Sequence, residues 1–223
     1  MQTTLHAAIF DLDGTILDSG AMWDGVAPAV VRRFGYTPKE TICADTLPLG
    51  MGEFAPFLKA DYGMSESLET IGAAIEELVA RYYLGSPALK LGALAFLRRL
   101  KAAGVPMAVA TATERRFAEP ALRSTGALEL LDAVLTCPEV GAGKRRPDIF
   151  RQAARALGVR QGGAWVFEDA LYAMETAKAD GFPVCAVADP AAQFQMDEIR
   201  QLADCFLPDF LHWQSLPFAG RLA

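Results

Sequence analysis

Short apolar runs alternate with helical patterns over most of the chain. Five runs of four to six residues, each followed by polar or turn-forming residues, predict buried strands at 5–10, 105–110, 133–136, 164–167 and 183–188. Helical patterns lie between these strands, at about 87–103, 114–126, 147–158 and 170–180. Strands that alternate with helices of roughly ten to fifteen residues are typical of an α/β fold with a doubly wound parallel sheet.

Residues 20–84 interrupt this alternation. Four helical patterns follow one another there, at about 21–34, 38–45, 52–61 and 67–83, with no strand between them. Glycine and proline punctuate the helices, and the stretch carries five basic and nine acidic residues. We therefore expect residues 20–84 to form a smaller, all-helical cap domain inserted after the first strand. Residues 1–19 and 85–223 would form the α/β core.

The composition is that of a soluble globular protein, with 52% hydrophobic and 22% charged residues. A net charge of −6 argues against a broad nucleic-acid-binding surface, which needs an excess of lysine and arginine. No apolar run approaches the roughly 18 residues that suggest a membrane span, and no basic leader precedes a long apolar stretch. The four cysteines form no CxxC pair, which favours reduced thiols over a zinc site. We expect a cytoplasmic protein without a membrane or nucleic-acid partner.

Polar side chains follow the predicted strands where ligands bind in an open parallel sheet, beyond the strands' carboxyl ends. These residues are Asp11, Asp13 and Thr15 after the first strand, Thr111 after the second, Lys144 after the third, and Glu168 and Asp169 after the fourth. Clustered carboxylates need a cation between them, and all-oxygen ligands suit Mg²⁺. Lysine and a hydroxyl suit a phosphoryl group, and a carboxylate can attack phosphorus to form an aspartyl-phosphate.

The same residues resemble the four motifs of the haloacid dehalogenase superfamily. The string DLDGTILDS at 11–19 resembles the first motif, and Thr111 after VPMAVA resembles the second. Lys144 in GKRRPDIF resembles the third, and FED at 167–169 resembles the fourth. The motifs occur in the family's order and span most of the chain. The resemblance implies a Rossmann-like core with a helical cap, and Mg²⁺-dependent hydrolysis of a small-molecule phosphate ester.

The resemblance also implies catalytic roles. Asp11 would be the nucleophile. Asp13 would protonate the leaving oxygen and then deprotonate the attacking water. Thr111 would hold phosphate oxygens, and Lys144 would offset charge on the nucleophile and on the phosphoryl group.

The remaining implied roles concern metal and substrate binding. The metal ligands would be Asp11, the backbone carbonyl of Asp13, Asp169 and, directly or through water, Glu168. The Ala112 backbone N–H would bind phosphate together with Thr111 and Lys144. Gly14 would permit the tight turn after the first strand and contribute to substrate binding, and Thr15 would tether the turn.

Simpler interpretations exist for several of these residues. An isolated DxDGT string can be an ordinary turn after a strand. Thr111 can be a helix N-cap, with Thr113 as the rival cap in the same turn. Lys144 begins the basic run Lys144-Arg145-Arg146, and such runs are usually solvated. The resemblance to four motifs in order favours the functional interpretation.

The sequence also bears on the type of reaction. Hydrolysis of a phosphate ester needs a general acid such as Asp13, because the leaving oxygen of the ester must be protonated. Related sugar-phosphate mutases resemble this chain but carry a histidine twelve residues after the nucleophile, where this chain has Trp23. We therefore expect a phosphatase, with a mutase or a non-catalytic binding module as alternatives. The loop 47–54 is a candidate specificity loop, or a plain turn between helices, and we expect a monomer or weak homodimer.

Overall fold

The computed structural model describes residues 5–46 and 49–222, which contain a central six-stranded sheet. Its strands are β1 (Ala7–Phe10), β2 (Met107–Thr111), β3 (Ala133–Thr136), β4 (Ala164–Glu168), β5 (Val184–Val187) and β6 (Cys205–Leu207). They lie in the order β3-β2-β1-β4-β5-β6, and every neighbouring pair is parallel. The predicted doubly wound parallel α/β fold is confirmed.

The central strand β1 is buried on both faces, as its continuous apolar sequence requires. Ala8 and Phe10 belong to one hydrophobic cluster, and Ala7 and Ile9 belong to a second cluster on the other face. Phe10 stacks on Phe167 of β4 with ring centroids 4.5 Å apart. β1 pairs with β2 on one side and with β4 on the other, so the direction in which successive strands are added to the sheet reverses at β1. Open α/β sheets bind ligands at such a point, beyond the carboxyl ends of the strands.

The segment between β1 and β2 begins with a helical layer. Its helices are α1 (Gly20–Arg33), α2 (Ile42–Thr46), α3 (Met51–Tyr62) and α4 (Leu68–Tyr83). The described residues of this segment up to Tyr83 form no strand. Apolar side chains of α1, α3 and α4, including Val30, Phe54 and Ile75, form a common core. The predicted all-helical cap is confirmed as part of the fold, and the domain boundaries at 19/20 and 84/85 stay a prediction.

Within the described residues, six further α-helices accompany the sheet. They are α5 (Ala93–Ala102), α6 (Arg115–Ser124), α7 (Cys137–Val140), α8 (Asp148–Ala156), α9 (Leu171–Ala179) and α10 (Met196–Leu202). The helices α6, α8 and α9 begin and end within two residues of their predicted limits. None of the helices within 5–46 and 49–222 combines the length and the apolarity that crossing a membrane requires.

The start of α5 differs from the prediction. The helix begins at Ala93 and not near residue 87, because Leu89 forms an antiparallel bridge with Leu17. Gly92, at the N-cap, has φ +80°, and a Cβ there would lie 2.9 Å from the backbone nitrogen of Leu211. Residues 87–92 are therefore held in a non-helical conformation by contacts that are distant in sequence.

Candidate active site

The turn after β1 is built around Gly14 and Thr15. Gly14 has φ +77°, and a Cβ at this position would lie 2.4 Å from Asp169 Oδ2, so both its backbone conformation and its neighbour favour glycine. The buried hydroxyl of Thr15 donates a hydrogen bond of 2.8 Å to Asp169 Oδ1. These contacts fasten the turn that carries Asp11 and Asp13 to the residue that follows β4.

Three carboxylates meet at the carboxyl ends of β1 and β4. Asp11, Glu168 and Asp169 each offer an oxygen, and these oxygens lie within 4.8 Å of one another. Lys144 Nζ donates to Asp11 Oδ1 and, over 2.7 Å, to Glu168 Oε2. Because one ammonium faces three carboxylates in a largely buried site, negative charge is in excess. An all-oxygen donor set with excess negative charge fits a hard divalent cation such as Mg²⁺.

Burial controls the electrostatics of this cluster. It raises the pKa of Asp11 and of Asp169 well above the ordinary value, and the charge of Glu168 adds to the effect. Burial opposes the charge of Lys144, but Asp11 and Glu168 outweigh it and raise the pKa of Lys144. The ammonium therefore stays charged, while the carboxylates are costly to ionise without further positive charge.

Lys144 points inward although it begins a basic run. Its side chain is 3% exposed, whereas Arg145 and Arg146 are exposed. The guanidinium of Arg145 lies over the ring of Tyr172, 5.0 Å from its centroid. The simple interpretation of the whole run as solvated is therefore wrong for Lys144 and correct for the two arginines.

The threonines at the carboxyl end of β2 do not cap the next helix. The N-cap of α6 is Glu114, so the capping interpretation of Thr111 and of Thr113 is wrong. The buried Thr111 Oγ1 accepts a hydrogen bond of 2.9 Å from the Thr113 backbone N–H. Thr111 and Ala112 both line the same cavity as Asp11 and Lys144.

Asp13 is held by three hydroxyl groups. Ser19 Oγ donates to Asp13 Oδ1 over 2.8 Å, and Thr113 Oγ1 donates to Oδ2 over 2.7 Å. The third donor, to Oδ1, is the hydroxyl of Tyr83. Tyr83 is the last residue of α4 and is fully buried. Burial, with the charge of Asp13, raises the pKa of Tyr83 well above its ordinary value, so the phenol remains a donor.

Trp23 completes this chain of hydrogen bonds. Its Nε1 donates to the Tyr83 hydroxyl over 3.0 Å. Sequence reasoning identified Trp23 only as the residue that replaces a histidine, and it missed Tyr83 altogether. A tyrosine at the end of an amphipathic helix is usually core, and no local signal points to a partner 70 residues earlier in the chain.

We expect Tyr83→Phe to lower the free energy of unfolding by about 1–3 kcal/mol, because Trp23 Nε1 would lose its buried acceptor. Urea denaturation measures the change. Tyr82→Phe is the matched control, since the Tyr82 hydroxyl donates to the Asp18 carbonyl in an exposed position. The control should change stability by less than about 0.5 kcal/mol. Equal losses for the two variants would contradict a special role for the buried phenol.

A cavity joins the carboxylate cluster to the cap helices. The cap residues that line it are Gly20, Trp23, Asp24, Cys43, Thr46, Leu49, Gly50, Met51 and Phe54. Four described residues of the candidate specificity loop therefore line the cavity, while Leu47 and Pro48 lie outside the described residues. A role in specificity remains a prediction.

Asp189, after β5, also lines the cavity, and sequence reasoning did not identify it. It is 2% exposed and forms a 2.5 Å ion pair with Lys90. Lys90 lies in the segment that connects the last cap helix, α4, to α5. A Cβ on Gly20 would lie 2.4 Å from Asp189 Oδ1. The start of α1 thus packs directly against this carboxylate.

Comparison with known proteins shows which families and proteins this chain resembles. A family model described as haloacid dehalogenase-like hydrolase matches residues 5–181. The chain is 33% identical over 181 residues to validoxylamine A 7'-phosphate phosphatase of Streptomyces hygroscopicus subsp. limoneus, covering 78% of this chain and 81% of that protein. It is 27% identical to phosphoglycolate phosphatase of Rhodobacter capsulatus, covering 88% and 90% of the two chains.

A solved structure shares the fold. The crystal structure of a putative beta-phosphoglucomutase from Thermotoga maritima superposes with a TM-score of 0.71 and 24% sequence identity. The match covers 91% of this chain and 94% of that one. The similarity extends over both the sheet and the helices between β1 and β2.

Proposed function

Because the chain belongs to the haloacid dehalogenase-like hydrolase family, we propose that it is a phosphatase that hydrolyses a small-molecule phosphate monoester through an aspartyl-phosphate on Asp11. The observation that carries this proposal is the meeting of Asp11, Asp13, Lys144 and the Glu168-Asp169 pair in one cavity. Relatives named as phosphatases support the reaction class.

In the first step, a carboxylate oxygen of Asp11 attacks phosphorus. A P–O bond to Asp11 forms, and the P–O bond to the alcohol breaks. Asp13 acts as the general acid and gives a proton to the departing oxygen. Lys144, already bonded to Asp11 Oδ1, holds the nucleophile in place and offsets its charge.

In the second step, water cleaves the aspartyl-phosphate. Asp13, now ionised, takes a proton from the water, whose oxygen attacks phosphorus. The P–O bond to Asp11 breaks, and inorganic phosphate leaves. Asp13 is again protonated, so the same carboxyl group serves as acid and then as base. Thr111, Ala112 and Lys144 bind the phosphate oxygens in both steps.

Asp11, Glu168, Asp169 and the backbone carbonyl of Asp13 would hold Mg²⁺. When bound, the cation would offset the negative charge shared by the carboxylates and the phosphoryl group. The excess of carboxylates over ammonium groups in the buried cluster supports this assignment. The Thr15–Asp169 hydrogen bond keeps Asp169 oriented towards the turn that carries Asp13.

The alternative of a sugar-phosphate mutase finds less support in the site. A mutase returns the phosphoryl group to a sugar and needs a proton shuttle near the cap. The position twelve residues after Asp11 holds Trp23, whose indole N–H is engaged with Tyr83. An indole cannot act as a general acid or base near neutral pH, which favours water as the acceptor of the phosphoryl group.

Turnover of p-nitrophenyl phosphate should require Mg²⁺, and EDTA should abolish it. After EDTA treatment, Mg²⁺ at about a hundredfold excess over its Kd should also raise the free energy of unfolding by about 2.7 kcal/mol. Initial-rate assays measure the turnover, and denaturation curves on the same protein measure the free energy of unfolding.

Asp169→Asn is the control variant for the metal. It should lose most of the Mg²⁺-dependent stabilisation, while NaCl at equal ionic strength should not reproduce that stabilisation in the unmodified protein. Folded protein that shows no turnover with Mg²⁺ would contradict the phosphatase proposal. Full stabilisation of Asp169→Asn by Mg²⁺ would contradict the ligand assignment.

A further inference from the structure

The cap side of the cavity differs in chemistry from the catalytic side. We call it the leaving-group half, because the alcohol moiety of a phosphate ester bound at Asp11 would extend towards it. Its lining residues are Trp23, Asp24, Cys43, Thr46, Met51 and Phe54. The rings of Trp23 and Phe54 lie 5.8 Å apart and form an aromatic wall beside Asp24.

The side-chain donors of the leaving-group half are already engaged within the protein. Trp23 Nε1 donates to Tyr83 over 3.0 Å. Thr46 Oγ1 donates to the Ile42 carbonyl over 2.8 Å, and the Cys43 thiol donates to the Asp24 carbonyl over 3.4 Å. The lining of the leaving-group half therefore presents aromatic and apolar surface to a ligand, with little capacity to donate hydrogen bonds from side chains.

The Asp24 carboxylate, by contrast, is an available acceptor. Within residues 5–46 and 49–222, no hydrogen bond or ion pair engages it. Burial and the charge of Asp189 raise the pKa of Asp24, so a ligand that brings a donor or a positive charge would relieve an unfavourable environment.

Among the described residues, no neighbouring cation forms an ion pair with Asp24. Lys90 is bonded to Asp189 and to the Ala188 carbonyl and does not line the cavity. Lys144, the cation among the described lining residues, is committed to Asp11 and Glu168. At the start of α3 the backbone N–H of Gly50 donates to Glu53 Oε2 over 2.7 Å, so a carboxylate already occupies that helix end.

We infer that the substrate is the monophosphate of a neutral or amine-bearing alcohol, which presents a hydroxyl or ammonium group to Asp24. A carboxylate or second phosphate on the alcohol would meet the negative charge of Asp24, and the side-chain donors of the leaving-group half are already engaged elsewhere. An ammonium group would also contact the face of Trp23. This inference rests on the proposed phosphatase function and assigns Asp24 as the residue that selects the alcohol.

O-phosphoethanolamine and phosphoglycolate test the inference, because both are two-carbon phosphate esters that differ in the charge at the far end. Glycerol 3-phosphate represents the neutral polyol. We expect kcat/KM for at least one of the two donor-bearing esters to exceed that for phosphoglycolate by about tenfold or more. Whichever of the two is faster identifies the group, ammonium or hydroxyl, that faces Asp24.

Asp24→Asn should lower the ratio of kcat/KM for O-phosphoethanolamine to that for phosphoglycolate by about tenfold. Asp45→Asn removes the same charge from an exposed position in the same cap and should leave the ratio unchanged. An equal change in the two variants would overturn the assignment of Asp24, and so would an unchanged ratio in Asp24→Asn.

p-Nitrophenyl phosphate separates failure of this inference from failure of the proposed function. If the protein hydrolyses p-nitrophenyl phosphate with Mg²⁺ but uses phosphoglycolate as well as the other two esters, the inference is overturned and the phosphatase function stands. If it hydrolyses none of the four compounds, the phosphatase function fails, and the inference fails with it.

Discussion

Asp11→Asn should reduce turnover of p-nitrophenyl phosphate by roughly 10⁴- to 10⁶-fold, the range that loss of a covalent nucleophile or its essential partner costs in other hydrolases. The amide of asparagine is too weakly nucleophilic to attack phosphorus, and it no longer forms an ion pair with Lys144. The protein should still fold, because the substitution removes one of three crowded buried carboxylates. Thermal denaturation checks the fold, and initial rates at saturating Mg²⁺ measure the loss.

Asp18→Asn is the matched control for this substitution. It makes the same chemical change seven residues later, at an exposed side chain. Its turnover should stay within about twofold of the unmodified protein, as expected for a surface substitution. In addition, acid-quenched unmodified enzyme should yield a peptide containing Asp11 that carries a phosphoryl group. Activity of Asp11→Asn close to that of Asp18→Asn would rule out Asp11 as the nucleophile.

Asp13→Asn should slow hydrolysis of alkyl phosphates by about 10²- to 10⁴-fold, since it removes the group that protonates the leaving oxygen. The effect should depend on the leaving group. p-Nitrophenolate is stable without a proton, so the first step should survive with this ester, while the second step loses its base. Asp13→Asn should therefore release a burst of about one equivalent of p-nitrophenol per enzyme and then turn over slowly.

The burst distinguishes the proposed role of Asp13 from a purely structural one. A variant that is merely misfolded would lose the burst and the steady-state rate together. Rapid-quench measurement of p-nitrophenol and of phosphate on the same sample separates the two steps. Simultaneous release of the two products by Asp13→Asn would contradict a role for Asp13 as the base in the second step.

Much of this site could be predicted from the sequence because its residues lie at or just beyond the carboxyl ends of strands. The carboxyl ends of parallel strands meet at one edge of a sheet, so Asp11, Thr111 and Glu168 come together once the strands are recognised. Lys144 lies in a loop, and only its resemblance to a family motif distinguished it from the arginines beside it. The order of the sheet confirms the predicted fold class, and the site roles remain proposals for the experiments above.

Other parts could not be predicted because they depend on contacts between distant segments. The late start of α5 follows from the bridge between Leu17 and Leu89, which a helical pattern does not reveal. The strand β6 has three residues at the edge of the sheet, too short for a recognisable pattern. The contact of Tyr83 with Asp13 depends on where the end of α4 lies relative to the turn after β1.

The hydrogen bonds that link Trp23, Tyr83 and Asp13 limit how freely the helices at 20–84 can be exchanged between relatives. A chimaera that receives foreign cap helices would gain a new leaving-group pocket, but it would also lose the phenol that supports Asp13 unless the donor helix ends in an equivalent hydroxyl. In this protein, a change of the cap is therefore tied to a change in the contacts of Asp13, the proposed acid/base group. Exchange of the cap at the two points where the chain passes between core and cap would succeed most readily when Trp23 and Tyr83 are transferred together.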